Sequence, residues 1–330
     1  MRLLVPVSIA LAPITALGCA SFARWMRRRK LGQQIRDLGP QGHTAKAGTP
    51  TMGGLVVLSV WAAAVLSFWP TVGWTRSIGF VLAAGAIHAG IGLLDDLWSL
   101  KQHRSLGLTA PRKLLLGSLA AIALFFLFRD VLSVPQRVPF SAGTVALPPI
   151  ASFVLLWVSL LASTNSMNLA DGLDGLAGGL AVLILIGLLV LSPSGPNLAV
   201  VLPLLGATLG FLWLNVHPAA LFLGDVGSFG LGGIVAAVSL CSGTVFYLPL
   251  VAGVLVLEAG SVITQVTWCR IAGVRIFKMA PLHHHFEVST RARSAHVLPA
   301  FEWPETKITL RFWLVQALFV GIAVWASHGS

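Results

Sequence analysis

The sequence predicts an all-α, polytopic integral membrane protein of about ten transmembrane helices, and three observations predict it. The 330-residue chain is 56% hydrophobic and only 10% charged, against roughly 25% charged in a soluble domain. Apolar runs of the roughly 17–25 residues that a membrane-crossing helix needs recur along its length. These runs are continuously apolar rather than alternating, which argues against a transmembrane β-barrel. The polar remainder leaves no room for a large soluble domain, so residues 1–330 read as a single transmembrane domain.

Leu3–Ala23 opens the chain and is followed by Arg24, Arg27, Arg28, Arg29 and Lys30. A secretory signal carries its charges before the apolar core. Here they come after it, so this stretch is a first span with its N-terminus outside. Ala16-Leu17-Gly18-Cys19 faintly resembles a lipoprotein cleavage box, and the basic cluster directly after it argues against that reading. Further spans read as 53–70, 77–97, 113–133, 150–167, 177–192, 198–216, 228–244, 246–268 and 309–326. The division between the eighth and ninth rests on Cys241-Ser242-Gly243 and Pro249.

Ten spans put both termini outside and leave 24–52, 98–112, 168–176, 217–227 and 269–308 as inside loops. With Lys113 and Arg311 at the adjoining span ends, the inside face holds 18 of the 22 Lys and Arg residues. Topology follows this count of Lys and Arg rather than net charge. The net charge of +11 is thereby explained without a nucleic-acid partner. The acids sort the same way: Asp37, Asp95, Asp96, Asp171, Asp174, Asp225, Glu287, Glu302 and Glu305 fall inside, and only Asp130 and Glu258 do not. A polar site facing the cytoplasm follows. Cys19, Cys241 and Cys269 are scattered, show no metal-binding spacing and are expected as small apolar residues without a disulfide.

The stretch Asn165–Gly179, NSMNLADGLDGLAGG, carries Asp171 and Asp174 with no Lys or Arg. Three apart on a helix, their side chains would share a face. Acids beside hydrocarbon call for a cation or substrate; the plainer alternative is that they cap the sixth helix. Asn165 and Asn168 add amides to the same segment. Asp95-Asp96 closes the third span, where the helix dipole opposes acids by about 0.3–1 kcal/mol. Adjacent like charges add about 3 kcal/mol at ~5 Å, so something cationic should offset them. Asp225 lies in the glycine-rich LFLGDVGSFGLGG, as a ligand or as a cap for span eight. Asn215 and His217-Pro218 end span seven, and His217 reads as a hydrogen-bonded structural residue.

His283-His284-His285 follows Met279-Ala280-Pro281-Leu282. Adjacent histidines suit one zinc poorly, so phosphate hydrogen bonding is the better reading. Lys46, before a Gly-rich entry to span two, is a candidate anion contact. Gly53-Gly54, Gly178-Gly179 and Gly232-Gly233 lie near the inside ends of even-numbered helices, whose N-termini favour anions. Carboxylates, helix N-termini, Lys and His together suit a diphosphate bound with Mg²⁺, which prefers oxygen ligands. Glu258 sits mid-span, with Ser261 and Gln265 placed to satisfy it.

Eight stretches in order, KAGTPTMGG (46–54), GLLDDL (92–97), GLTAPRKL (107–114), NSMNLADGLDGLAGG (165–179), NVHPAALFLGDVGS (215–228), VLEAGSVITQV (256–266), KMAPLHHHFE (278–287) and WPETKITLRFW (303–313), resemble the phospho-N-acetylmuramoyl-pentapeptide-transferase family. The wider superfamily of polyprenyl-phosphate sugar-1-phosphate transferases shares the Asp-Asp and Asn-x-x-Asp-Gly-x-Asp-Gly features; the triple-His stretch marks this branch. The resemblance implies ten spans with periplasmic termini, a homodimer, and a site open to the cytoplasm in the bacterial inner membrane. It implies transfer of phospho-MurNAc-pentapeptide from UDP-MurNAc-pentapeptide to undecaprenyl phosphate, giving lipid I and UMP with Mg²⁺. Asp225 matches the Mg²⁺ ligand, and Asp95 and Asp96 the catalytic centre. Asn168, Asp171 and Asp174 match the inner loop; Lys46, Thr51, Asn215 and Phe222 match positions near the nucleotide. His283, His284 and His285 match the phosphate-side histidines.

Two departures stand out. The Lys common three residues after the second Asp is Ser99 here, with Lys101 nearby, which makes Lys113 the basic candidate. The segment Val288–Ala300, with Arg291, Arg293 and His296, is longer than expected. The competing readings are a UDP-N-acetylhexosamine-1-phosphate transferase, against which the triple His argues, and a transporter or lipid flippase, which would place acids mid-bilayer rather than at one face.

Overall fold

The computed structural model describes residues 4–29, 32, 48–68, 73, 75–102, 107–193, 196–288, 295–299 and 301–328. Asp37, Lys46, Arg291 and Arg293 lie outside the described residues. The chain is an all-α membrane protein. Its long helices are α1 (Leu4–Arg28), α2 (Gly53–Ser67), α3 (Arg76–Gln102), α4 (Ala110–Leu127), α5 (Pro149–Ala170), α6 (Leu176–Leu191), α7 (Pro196–Asn215), α8 (Gly224–Cys241), α9 (Gly253–Ala272) and α10 (Glu305–His328). Eight are long and apolar enough to cross a membrane, while α2 and α6 are apolar but shorter.

The bundle is built around α8. Its apolar window is 83% buried, against 22% for α4 and 28% for α1, α9 and α10. The sequence GDVGSFGLGGIVAAVSLC explains this position, because small residues let neighbouring backbones come close where lipid offers no hydrophobic drive. The seam of α8 with α3 is the most extensive in the molecule, followed by those of α1 with α7 and of α5 with α8. A Cβ on Gly54 of α2 would sit 2.0 Å from the Gly227 Cα, and one on Gly232 would sit 2.6 Å from the Thr164 Cα. The glycine pairs that suggested anion-binding helix ends therefore serve packing instead. Gly54→Ala should cost about 1–3 kcal/mol, since backbone faces backbone and no side chain can give way. Gly260→Ala, with nothing within 4 Å among the described residues, is the control; equal thermal midpoints of the two purified variants in detergent would contradict this account.

Two features depart from the sequence reading. The expected span 246–268 is broken: a short helix, Leu248–Val251, stops at Ala252 before α9 begins. Gln316, fully buried on α10, spans the break, accepting from the Val254 N–H at 3.1 Å and donating to the Val251 carbonyl. One amide group thus satisfies one N–H and one C=O at the interruption. Secondly, a two-stranded antiparallel hairpin, β1 (Gln136–Arg137) with β2 (Thr144–Val145), joins α4 to α5. It covers the end of α8, with the Arg137 N–H bonded to the Gly243 carbonyl at 2.8 Å and Gln136 Nε2 to the Leu240 carbonyl at 3.1 Å.

The segment after the histidines is placed at both ends. Val297 and Leu298 donate to the carbonyls of Arg275 and Ile276 at 3.0 Å each, and Trp303 donates to Phe286 at 2.8 Å. The three cysteines are free thiols, Cys19 being buried.

Candidate active site

Three helices, α3, α4 and α8, bring charged groups to one end of the bundle, and α5 adds the Asn168 amide. Asp95 and Asp96 do not close their helix: α3 continues to Gln102, so both sit inside it. The counter-charge they need comes from across the seam. Asp96 receives the first amides of α8, Asp225 N–H at 3.2 Å and Val226 N–H at 2.9 Å. It caps α8 in trans, at the end where the dipole favours an anion. The N-terminus of α8 is thereby engaged by protein.

Asp225, the second residue of α8, has both oxygens held. Asn168 Nδ2, near the end of α5, donates to Oδ1 at 2.8 Å and reaches Ser228 Oγ at 3.1 Å. Lys113 Nζ, in the first turn of α4, lies 2.6 Å from Asp225 Oδ2 and 3.1 Å from Asp95 Oδ2. The other Asp95 oxygen accepts the Leu108 N–H. Lys113 Nζ also lies 5.3 Å from the centre of the Phe229 ring on α8, a cation–π contact made by the same ammonium that joins the two carboxylates.

A second group forms where α5 meets α6. Asp171 is the C-cap of α5, Asp174 lies in the following turn, and α6 starts after Gly175, whose φ of 75° suits glycine. The two acids therefore share no helix face, and neither caps the sixth helix. Asp174 Oδ2 lies 3.0 Å from His217 Nδ1 and accepts the Ala219 N–H at 3.1 Å. The Asp174 N–H donates to Glu305 Oε1 at 2.5 Å, and Glu305 Oε2 is 3.7 Å from His217 Nδ1. Asn215, buried at the end of α7, accepts the Gly175 N–H at 3.1 Å and donates to the Leu221 carbonyl at 3.0 Å.

The histidines form a third group, on a one-turn helix, His283–Phe286, and all are buried. His283 Nδ1 lies 3.1 Å from Glu258 Oε1, both side chains being fully inaccessible. His284 Nδ1 lies 2.8 Å from Glu287 Oε2. His285 Nδ1 accepts the Lys278 N–H at 3.0 Å. Burial, with His296 and Lys278 nearby, lowers the His285 pKa and keeps it neutral. The third group touches the second at Gly172, where an added Cβ would fall 2.4 Å from His283 Nε2.

Comparison with known proteins shows which family the sequence matches. A family model described as glycosyl transferase family 4 matches residues 78–243, and the phospho-N-acetylmuramoyl-pentapeptide-transferase signature 1 matches residues 46–58. A phospho-N-acetylmuramoyl-pentapeptide-transferase of Rubrobacter xylanophilus is 37% identical over 91% of this chain and 89% of its own length. Those of Microcystis aeruginosa (38%, covering 98% of this chain and 89% of theirs) and Caldanaerobacter subterraneus (39%, 91% of each) are as similar. The chain belongs to the phospho-N-acetylmuramoyl-pentapeptide-transferase family.

Within this transferase, Asp95, Asp96, Asp225, Lys113 and Asn168 meet directly. Asp174 instead joins His217 and Glu305, so the acids form two neighbouring groups rather than one. Thr51 is buried beside the entry to α2, where the Gly53 and Gly54 amides donate to the carbonyls of Phe222 and Leu223 at 2.8 and 2.9 Å and Phe222 donates to Pro50 at 2.9 Å. The N-terminus of α2 is thus spent on protein carbonyls, contrary to the anion-binding expectation. The three histidines are interior groups with Nδ1 engaged, not a solvent-facing row of donors. Glu258 is not satisfied by its own helix: Ser261 Oγ donates to the Glu258 backbone carbonyl, and Gln265 bonds to Ile276 and Phe277. Ser228, Glu305 and the Glu258–His283 pair were missed as partners, because helical spacing says nothing about which distant segment faces a residue.

The donor set can be tested against Mg²⁺. Asp225 Oδ2 and Asp95 Oδ2 already converge on one cation, the Lys113 ammonium, and both are hard oxygen donors; they fit the ion. Asp174, His217 and Glu305 also bring ligand atoms within 4.8 Å of one another. That set includes a nitrogen, which suits Mg²⁺ less well than oxygen alone, and one oxygen of each carboxylate already accepts a backbone amide.

Proposed function

We propose that this enzyme transfers phospho-MurNAc-pentapeptide from UDP-MurNAc-pentapeptide to undecaprenyl phosphate, releasing UMP, at the cytoplasmic face of the bacterial inner membrane. The observation that carries this reading is the sharing of one ammonium between Asp95 and Asp225 in a chain of this family. The clustering of Lys and Arg at the same end supports the cytoplasmic orientation.

Such transfer is mostly positioning and charge neutralisation. Asp225 and Asp95 would hold Mg²⁺, which when bound neutralises diphosphate oxygens. Asn168 fixes the Asp225 carboxylate through Oδ1, leaving Oδ2 directed towards Asp95 and Lys113. Asp96 keeps the start of α8 in place and with it Asp225. Asp95 orients the lipid phosphate; an oxygen of that lipid phosphate bonds to the sugar-side phosphorus while the bond from that phosphorus to the bridging oxygen breaks, and UMP leaves with that oxygen. Lys113 meets the negative charge on the phosphates. Lys46, Thr51, Asn215 and Phe222, with the inner loop carrying Asp171 and Asp174, serve the nucleotide side. His283 buttresses that loop at Gly172, and His283, His284 and His285 match the phosphate-side histidines of the family by sequence.

The test is UMP release from purified protein supplied with both substrates. Release that requires undecaprenyl phosphate, stops in EDTA and returns with Mg²⁺ is the expected result. No release from folded protein under these conditions would remove the assignment.

A further inference from the structure

We propose that Lys113 and a divalent ion compete for the same two oxygens, so that loading the metal expels the Lys113 ammonium onto the incoming phosphates. The inference rests on the transferase reading and concerns how its site is filled. Each carboxylate of the pair has one oxygen fixed by protein: Asp225 Oδ1 by Asn168 and Asp95 Oδ1 by the Leu108 amide. Asp96 is committed to the α8 amides. The oxygens left for a metal are Asp225 Oδ2 and Asp95 Oδ2, and Lys113 Nζ lies on both, at 2.6 and 3.1 Å.

Two cations cannot share that gap at close range without strong repulsion. A lysine suits exchange better than an arginine, being a compact charge on a flexible stem without a rigid fork. The Phe229 ring face, 5.3 Å from Nζ, offers the displaced ammonium a second partner beside the two oxygens. The released head therefore stays at the site where diphosphate charge arrives. The lysine would serve twice: it offsets the buried acids before loading, and it adds positive charge to the substrate afterwards. The coupling is reciprocal, so a charge that weakens metal binding is itself displaced by the metal.

The experiment uses full-length protein in detergent without substrates, with Mn²⁺ as the probe and its free fraction read by electron paramagnetic resonance. Lys113→Met keeps the length and removes the charge; it should bind Mn²⁺ about tenfold more tightly than wild type. Lys113→Arg should show no such gain, and adding Asp225→Asn to Lys113→Met should abolish the binding, placing the ion at this carboxylate. A folded Lys113→Met protein that binds Mn²⁺ equally or more weakly overturns the exchange. Should that variant not fold, wild type decides: acetylation of Lys113, followed by mass spectrometry, should rise several-fold when Mg²⁺ is added, and an unchanged yield overturns the proposal. Wild type that releases UMP with Mg²⁺ while Lys113→Met gains no affinity refutes the exchange alone. Wild type that releases no UMP refutes the transferase reading.

Discussion

Asp225→Asn is expected to lower the rate of UMP release by at least about 10³-fold, the scale on which removing one preorganised charge from a transition state acts, with the fold retained. The substitution preserves shape. The Asn carbonyl can still accept from Asn168, as Asp225 Oδ1 does at 2.8 Å. The other oxygen becomes an NH₂ group pointed at the Lys113 ammonium, which stands 2.6 Å away. Donor then faces donor, and the negative charge that draws a metal towards Asp95 is gone. The loss should fall on kcat more than on KM, because neutralisation matters most as charge moves on the phosphates. Asp96→Asn should also impair transfer, by another route. Asn has one carbonyl oxygen where Asp96 uses two, for the Asp225 and Val226 amides, so the start of α8 loosens and the thermal midpoint drops. The two variants separate chemistry from placement. Full activity of Asp225→Asn would refute its assignment as metal ligand.

The helical architecture was legible because hydropathy and the Lys and Arg distribution are one-dimensional signals. So was the need of Asp95-Asp96 and Asp225 for partners, since uncompensated acids at the end of apolar runs call for one, and the fold brings them together. What could not be read was who compensates whom. The dipole argument treated Asp96 as the unfavourable end of its own helix; in the folded chain it is the favourable cap of another. Gly54 and Gly232 looked like openings for anions, yet they are contact points at which α8 meets α2 and α5. Both outcomes depend on helix crossings, which periodicity within one segment does not encode. Lys113 was identified only because Ser99 stands where a lysine was expected. Its bridge between α4, α3 and α8 belongs to the tertiary structure.

Glu258 illustrates the same limit and carries the second large effect. Its carboxylate is fully inaccessible and sits 3.1 Å from His283 Nδ1, itself fully inaccessible. Among the described residues, Glu258 Oε2 and His283 Nε2 have no hydrogen-bond partner. The single Nδ1–Oε1 contact therefore holds the pair together. Removing one member of such a buried pair typically costs about 3–5 kcal/mol, mostly from stranding the other. Glu258→Ala should accordingly lower stability by about 3 kcal/mol, read as a fall in the unfolding midpoint of the purified protein. Glu258→Gln keeps an oxygen for the Nδ1 proton and should recover most of that loss. The effect should also reach the site, because His283 rests against Gly172 and so against the loop carrying Asp171 and Asp174. In Glu258→Ala, assayed below its melting range, KM for the nucleotide substrate should rise while the Mn²⁺ affinity at Asp225 stays unchanged. A purely structural prop would lower the midpoint and leave KM alone. A pair that contributes nothing would leave Glu258→Ala melting with the wild type.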